Sequence, residues 1–416
     1  MKTSDKHRVV ISGLGVVSSI GIGIEAYLSA LKNGCNGASV VESFDTEKFP
    51  SHIGCEVSGF DANQYEISLA EQPVNFDALG RSSQMAVVAT QQALLDSGID
   101  KSLLSEKNID VVIGTTDGES AVFDEYTLAY IENSNKKNTN LFPRLLTAEA
   151  IPDSIVDVFN LKGDSMVIAT ACSAGNYSIG YAFDKIQSGE ADFVICGGSD
   201  AQCLKNFGGF YRIGALAPES CMPFDLNRKG ILPGEGAGIL ILESLASAKQ
   251  RGAKIYAEIL GYGASCDGHH VMQPNEEGIV QCNRDALSRC NISPAEIDYI
   301  CAHGTATAIN DVVETSAMKQ IFNHDMPPMS SIKSMLGHTM GAASALSAIA
   351  CTLALKNEFM PPTIHFSEAD PECAIDCVAN QSRDVTLNVV QNNAFAFGGN
   401  NAIVLFKRFA ESMGDN

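Results

Sequence analysis

The 416-residue chain contains no tryptophan, and its basic side chains are scarce: 28 Lys and Arg against 49 Asp and Glu, a formal charge of −21. So acidic a surface repels phosphate backbones and anionic headgroups, which argues against nucleic-acid or membrane binding. Long apolar runs are missing too. Stretches such as Phe193 to Cys196 and Ala402 to Phe406 fall far short of the ~20 residues that cross a bilayer. Met1 to Arg8 lead straight into a strand pattern without a signal-peptide profile, so a cytoplasmic location is expected. The thirteen cysteines include no Cys-x-x-Cys pair, and a chain of this length does not need disulfide staples. They read as reduced thiols. Neither His269-His270 nor Cys301-x-His303 has metal-site spacing, so no metal is expected.

What is present is the profile of a tightly packed globular protein, 45% hydrophobic with 36 glycines. Val9 to Ser18 reads as a β-branched strand ending in a Gly13-Leu14-Gly15 turn. Ser18 stands at the third glycine of a dinucleotide fingerprint, and no acidic residue closes a clear second strand, so a nucleotide site is not expected. Gln84 to Ser97 has a helical pattern and Ile109 to Gly114 that of a buried strand. Asp192 to Asp200 reads as another buried strand, stopping at glycines, and Gly234 to Gly238 lead into a strand over Ile239 to Leu242. The order then repeats. Helix Ile279 to Arg289, Ser293 and Ile297 to Ile300 echo helix Gln84 to Leu95, Ser105 and Ile109 to Val112. Gly341 opens an Ala/Leu helix to Leu355 as Gly175 opens its own, and Gly398 to Leu405 parallels Gly234 to Leu242. The repeat predicts an α/β fold of two halves, 1–252 and 253–416, with catalytic groups at their interface.

Within Met166 to Gly180 an apolar run reaches Cys172 and continues with Ile179, Phe183 and Ile186 at helical spacing. That places Cys172 at a strand-to-helix corner, where peptide dipoles and free backbone N–H groups favour a thiolate and can hold an oxyanion. A buried structural cysteine is the competing reading. Two histidines sit among small residues: His303 at the end of a strand pattern, and His338 entering a helix five residues after Lys333. A nucleophilic cysteine can take an acyl group as a thioester, and two neutral imidazoles could stabilise the enolate left by loss of carbon dioxide. That combination favours carbon–carbon bond formation over hydrolysis, which needs one base, an orienting partner and open water.

Along nearly its whole length the chain resembles the elongating β-ketoacyl-acyl carrier protein synthases, ketosynthases of the thiolase superfamily. The resemblance is carried by Thr170-Ala171-Cys172-Ser173, Met222 to Asp225 with Arg228 and Gly230, Gly234 to Gly238, His303-Gly304-Thr305, Asn310-Asp311 with Glu314, Lys333-Ser334 with Gly337-His338, and Phe395 to Gly399. The Cys-His-His order separates this branch from the initiating synthases, which have Cys-His-Asn, and from thiolases, which carry a second cysteine. The resemblance implies a duplicated, thiolase-like, five-layered αβαβα fold. It implies that Cys172 takes the acyl chain from an acyl carrier protein, while His303 and His338 support decarboxylation of malonyl-carrier protein and hold the enolate. Backbone N–H groups of Cys172 and Phe397 form the oxyanion hole, Phe397 gates the site, Lys333 orders it, and Thr305 and Thr307 contact phosphopantetheine. No cofactor is bound, since phosphopantetheine arrives on the carrier protein.

Departures from the family pattern bear on the subclass. Ser347 stands where a glutamate is common, leaving Lys333 to lean on Asp311 or Glu314; Met272 replaces a threonine, and Ala306, Ala396 and Asn400 replace Gly, Gly and Thr. These changes point to the ketosynthase of a type II polyketide or other specialised pathway, with fatty-acid elongation as the alternative. The expected assembly is a homodimer, or a heterodimer with a catalytically dead chain-length-factor paralogue. Lys136 and Lys137, in the polar loop Asn133 to Asn140, match basic family positions and are expected to dock the carrier protein. Residues near Phe142 are expected to set pocket depth. Rival readings are a non-catalytic scaffold subunit that keeps Cys172 unused, and a cysteine hydrolase or acyltransferase.

Overall fold

The computed structural model describes residues 8–131, 147–323 and 325–410. Among the described residues the main sheet has eleven strands, ten of them in one continuous path: β1 (Val9–Ser18), β2 (Asp110–Gly114), β3 (Ser165–Ile168), β4 (Phe193–Asp200), β5 (Gly236–Ser244), β6 (Ala257–Cys266), β7 (Tyr299–Cys301), β8 (Met329–Ser330), β9 (Val389–Phe395) and β10 (Asn400–Arg408), with Gly21–Ile22 paired to β1 at the side. The helices that layer it are α1 (Arg81–Asp96), α2 (Ala150–Phe159), α3 (Ala174–Ser188), α4 (Glu276–Cys290), α5 (Ala308–Phe322) and α6 (Ala342–Asn357). The strand order is β8-β7-β9-β10-β6-β1-β5-β4-β2-β3.

The order is the same read from either end. In the first half β2 pairs in parallel with β3 and β4, and β5 lies antiparallel between β4 and β1. In the second half β7 pairs in parallel with β8 and β9, and β10 lies antiparallel between β9 and β6. The halves meet where Val9, Val10 and Ile11 of β1 pair with Ile259, Glu258 and Ala257 of β6, a seam clasped by the Arg8–Glu258 ion pair at 2.7 Å.

Both faces of each half are covered, so most strands are apolar throughout instead of alternating. Helices α1 and α2 pack outside the first half and α4 outside the second, with α5 against α4. Helices α3 and α6 lie between the halves, in contact with strands of both and with each other. The result is five layers, αβαβα. Helix α6 is buried on nearly every side, which explains its uniformly small and apolar sequence.

Two strand limits differ from the sequence reading for one reason. Gly13 and Gly15 do not end β1; they lie inside it, because α1 packs so closely that a Cβ on Gly15 falls 1.8 Å from the Ala89 carbonyl oxygen. Likewise β4 runs through Gly197 and Gly198 to Asp200, and a Cβ on Gly198 falls 2.8 Å from the Gly341 carbonyl oxygen at the start of α6. Gly13, Gly15 and Gly198 mark close helix approach and Gly197 close approach of the β5 backbone at Gly238, not chain reversal. Among the described residues no helix is long and apolar enough to cross a membrane.

Candidate active site

Beyond β3 the chain makes a tight turn over Ala171–Ser173 and enters α3, so Cys172 does lie at a strand-to-helix corner. Ala171 has φ of +51°, a left-handed conformation that costs a non-glycine residue about 1–2 kcal/mol. Phe224, Ala306 and Met340 share it, at φ of 66°, 63° and 52°. Met340 follows His338 by two residues and Ala306 adjoins Thr305, so strained backbone collects around one place.

The Cys172 thiol departs from expectation. It is 7% exposed, and burial pushes it up to about 12, with Lys333 pulling it down and Asp200 and Asp117 adding to the rise. The helix terminus and the lysine do not offset desolvation in so closed a pocket. The resting nucleophile is therefore a neutral thiol, not the anticipated thiolate.

His303 lies two residues beyond β7, and its loop is fixed by a buried carboxylate. The backbone N–H groups of His303 and Gly304 donate to the two oxygens of Glu314 at 2.9 and 2.8 Å, and Asn393 Nδ2 donates to the same group at 3.0 Å. His338 is bracketed by the glycine motif of the first half. Its N–H donates to the Leu232 carbonyl at 2.7 Å and its own carbonyl accepts from the Gly234 N–H at 2.9 Å. The Met340 N–H donates to His338 Nδ1 at 3.1 Å, so the proton of the neutral ring sits on Nε2. The rings of His303 and His338 stand 5.7 Å apart, edge to face at 86°. Burial, then the Lys333 charge, holds His338 down to about 3 and His303 well below the ordinary histidine value. Both imidazoles are neutral at physiological pH.

Lys333 opens the one-turn helix Lys333–Leu336 and is 2% exposed. Burial holds its ammonium below the usual range, while Cys301, Glu314, Cys172 and Cys221 pull it back up. Of the two carboxylates expected to support it, Glu314 is among the largest influences that raise it. Asp311 instead accepts the N–H groups of Phe224 at 2.9 Å and Thr305 at 3.1 Å, fixing the Thr305 loop. Ser347 is buried in α6 and hydrogen-bonds Cys301. The Cys301 thiol lies below its ordinary range, first through a hydrogen bond with Cys351 and against burial, with Lys333 and Ser347 adding to the effect. The Cys301 thiol thus acts on the lysine, and the Ser347 hydroxyl acts on that thiol.

A cavity of about 320 Å³ is lined by Cys172, His303, His338, Thr305, Thr307 and Phe397. The Thr305 and Thr307 hydroxyls are 3.0 Å apart, and Thr307 caps α5 by accepting the Asn310 N–H. Phe397 is 38% exposed, its ring 6.2 Å from that of Phe210. Met272 and Ala396 also line this cavity. Lys136, Lys137 and Phe142 lie outside the described residues.

Two residues matter here that the sequence reading did not single out for a role. Arg228 donates to the carbonyls of Thr307, Ala308 and Asp225 and pairs with Asp370, tying three loops at the cavity. Asp200, at the end of β4, accepts the Thr115 hydroxyl at 2.7 Å, the Thr116 and Asp117 N–H groups at 3.0 Å each, and the Gly341 N–H at 2.7 Å. The available signal was an aspartate closing an apolar strand.

Two family models match the chain: "Beta-ketoacyl synthase, N-terminal domain" over residues 6–248 and "Beta-ketoacyl synthase, C-terminal domain" over 256–367. The chain is 36% identical to a 3-oxoacyl-[acyl-carrier-protein] synthase 2 of Synechocystis sp., over 98% of this chain and 100% of the relative. Among solved structures it is similar to the ishigamide ketosynthase/chain length factor, with a TM-score of 0.93 and 43% identity over 97% of this chain and 100% of that one. It is also similar to a type II PKS acyl-carrier protein in complex with its ketosynthase bound to the hexaketide, with a TM-score of 0.87 and 29% identity over 97% of this chain and 100% of that one.

Proposed function

The chain belongs to the β-ketoacyl synthase family, and from that premise we propose that it condenses malonyl-carrier protein with an acyl chain carried on Cys172. The observation that carries this reading is the shared lining of one cavity by Cys172, His303 and His338.

The first step moves an acyl group. Cys172 Sγ attacks the thioester carbonyl of an acyl-carrier protein, the carbon–sulfur bond to phosphopantetheine breaks, and the thiol proton passes to the departing sulfur. A thiol pushed up to about 12 needs a base at the moment of attack. His338 already accepts a backbone N–H on Nδ1 and presents Nε2–H, so it serves as a donor. His303, whose ring has no hydrogen-bond partner among the described residues, takes the proton in transit. The backbone N–H groups of Cys172 and Phe397 hold the oxyanion.

The second step makes the carbon–carbon bond. The malonyl C–C bond breaks, carbon dioxide leaves, and the enolate oxygen is held by neutral imidazole N–H groups. The enolate carbon attacks the Cys172 thioester, and the expelled thiolate takes up a proton. Lys333 keeps the imidazoles neutral, Thr305 and Thr307 hold the phosphopantetheine arm, and no resident cofactor is needed. We read the chain as halves 1–252 and 253–416, acting in the cytoplasm.

The partners follow from the same reading: an acyl carrier protein, and a second ketosynthase-like chain, either a copy of this one or a chain-length factor. Helix Ser120–Ile131 supports a protein partner, because none of its residues is buried and Phe123, Leu128, Tyr130 and Ile131 are exposed. The 43% identity to a ketosynthase/chain length factor supports a specialised polyketide pathway, and the 36% identity to a 3-oxoacyl synthase 2 supports fatty-acid elongation equally. Products separate them. A polyketide enzyme yields a chain extended repeatedly and only with its paralogue present, whereas an elongating synthase adds two carbons alone.

Incubation with acyl-carrier protein and labelled malonyl-carrier protein tests the core reading. We expect an acyl group on Cys172 by peptide mass, released carbon dioxide, and a product two carbons longer. Free acid with no longer chain would favour a hydrolase, and absence of any label a scaffold subunit.

A further inference from the structure

The turn that carries Phe397 is closed by its own Ala396–Asn400 and Gly399–Ala396 backbone bonds, at 3.0 Å each, and is held as well from outside its own strands. Gly398 and Gly399, at φ of +84° and +79°, lift the chain between β9 and β10. The Gly398 N–H donates to the Val271 carbonyl at 2.7 Å, and the Gly399 carbonyl accepts from the Asp267 N–H at 2.9 Å. The clasp is therefore the segment between β6 and α4. That segment has a cross-brace of its own. Asp267 accepts the Asn275 N–H at 2.9 Å and Asn401 Nδ2 at 2.6 Å, fixing its two ends.

Its middle depends on one side chain. His270 is exposed, yet its Nδ1 accepts two backbone N–H groups, from Met272 at 3.0 Å and from Gln273 at 3.1 Å. Two donors converging on one ring nitrogen close a turn over 270–273. The Val271 carbonyl in that turn is the one gripped by Gly398, and Met272, Gln273 and Pro274 line the cavity together with Phe397. Exposed loop backbone of this kind has little packing to hold it, so the side-chain acceptor decides its shape.

We propose that His270 is a positioning residue of the gate: by gathering the Met272 and Gln273 N–H groups on Nδ1 it presents the Val271 carbonyl that holds the Phe397 turn, and so sets how readily Cys172 is reached. The proposal rests on Phe397 acting as the gate. An acceptor at the Nδ1 position is what the turn requires, not an imidazole as such. Asparagine offers an oxygen near that position, whereas glutamine places its amide near Nε2.

The test is the rate at which iodoacetamide alkylates Cys172 in the full chain, followed by peptide mass spectrometry, with exposed Cys35 as the reagent standard and buried Cys196 as the reporter of unfolding. His270→Ala and His270→Gln are expected to raise the Cys172 rate about 3- to 10-fold, the effect of losing two modest hydrogen bonds, with His270→Asn close to the parent. Phe397→Ala, tested alone, is expected to raise it at least as much. A raised rate in Phe397→Ala beside an unchanged rate in His270→Ala rejects the role of His270 and leaves the gate standing. An unchanged rate in Phe397→Ala removes the gate itself. His270→Asn reacting as fast as His270→Ala, or Cys196 becoming reactive in step with Cys172, also overturns the proposal.

Discussion

Strands β2 and β7 hold the same place in the two halves, each between two parallel neighbours, yet the loops that leave them do different work. Each loop is gathered by a buried carboxylate. Asp200 collects Thr115, Thr116 and Asp117 and brings no reactive group to the cavity; Glu314 collects His303 and Gly304 and delivers an imidazole. The neighbouring strands differ in the same way, with β3 leading to the thiol and β8 to Lys333 and His338, each ahead of a central helix. Those helices touch at their starts: the Gly175 N–H donates to the Gly341 carbonyl at 3.1 Å and the Asn176 N–H to Ser344 Oγ at 3.0 Å. Duplication supplies two equivalent corners side by side, and the chemistry is divided between them.

That division can be broken at its strongest point first. Cys172→Ala should reduce condensation at least about 10³-fold, as loss of a covalent nucleophile does. Decarboxylation of malonyl-carrier protein should persist, because the imidazole side is untouched; measuring carbon dioxide release beside product formation separates the two. Next come the histidines. His303→Gln should lower turnover about 10²- to 10⁴-fold, the usual loss for a positioned base. His338→Gln should lose less, since an amide near Nε2 still donates; equal losses would mean the two rings share one role.

Lys333→Met should have an intermediate effect, about 10- to 10²-fold, and move the pH profile. The lysine charge is the second cause, after burial, that lowers both histidines, so its removal lets them rise only part of the way and any acid limb of the kcat profile should move to higher pH. The same pKa carries a stability consequence. The His338 folded value of about 3 lies below the ordinary 6.5, so the unfolded chain binds the proton first. This ring's contribution is complete above pH 6.5 and is lost as pH falls from 6.5 toward 3, a loss visible as a falling Tm. In Lys333→Met that window should narrow from its acid side. The smallest effects fall on the carboxylates. Asp200→Asn and Glu314→Gln should each cost about 1–3 kcal/mol in denaturant unfolding, but Glu314→Gln alone should also slow condensation, because only it holds a histidine.

The chemistry was more legible in the sequence than the packing. Cys172, His303 and His338 stood out because reactive side chains among small residues leave room for a substrate, and the structure does gather them. The doubled element order was readable because each half repeats its hydrophobic pattern. Gly13, Gly15, Gly197 and Gly198 misled, since in sequence a glycine that permits close approach of a helix or a neighbouring strand looks like one that turns the chain. The protonation of Cys172 misled for a similar reason. A helix start can be recognised from a local pattern, whereas the desolvation that outweighs it arises only when α3 and α6 close together. Asp200 and Glu314 act through backbone N–H groups distant in sequence, so neither role could be read from spacing.

The central claim is that two neutral imidazoles face a neutral thiol, and ¹⁵N-histidine NMR across pH 5 to 8 tests it most directly. The account predicts that His338 stays neutral throughout, with its proton on Nε2, and that His303 stays neutral as well. A His338 signal that titrates near 6.5, or one that shows the proton on Nδ1, would contradict it.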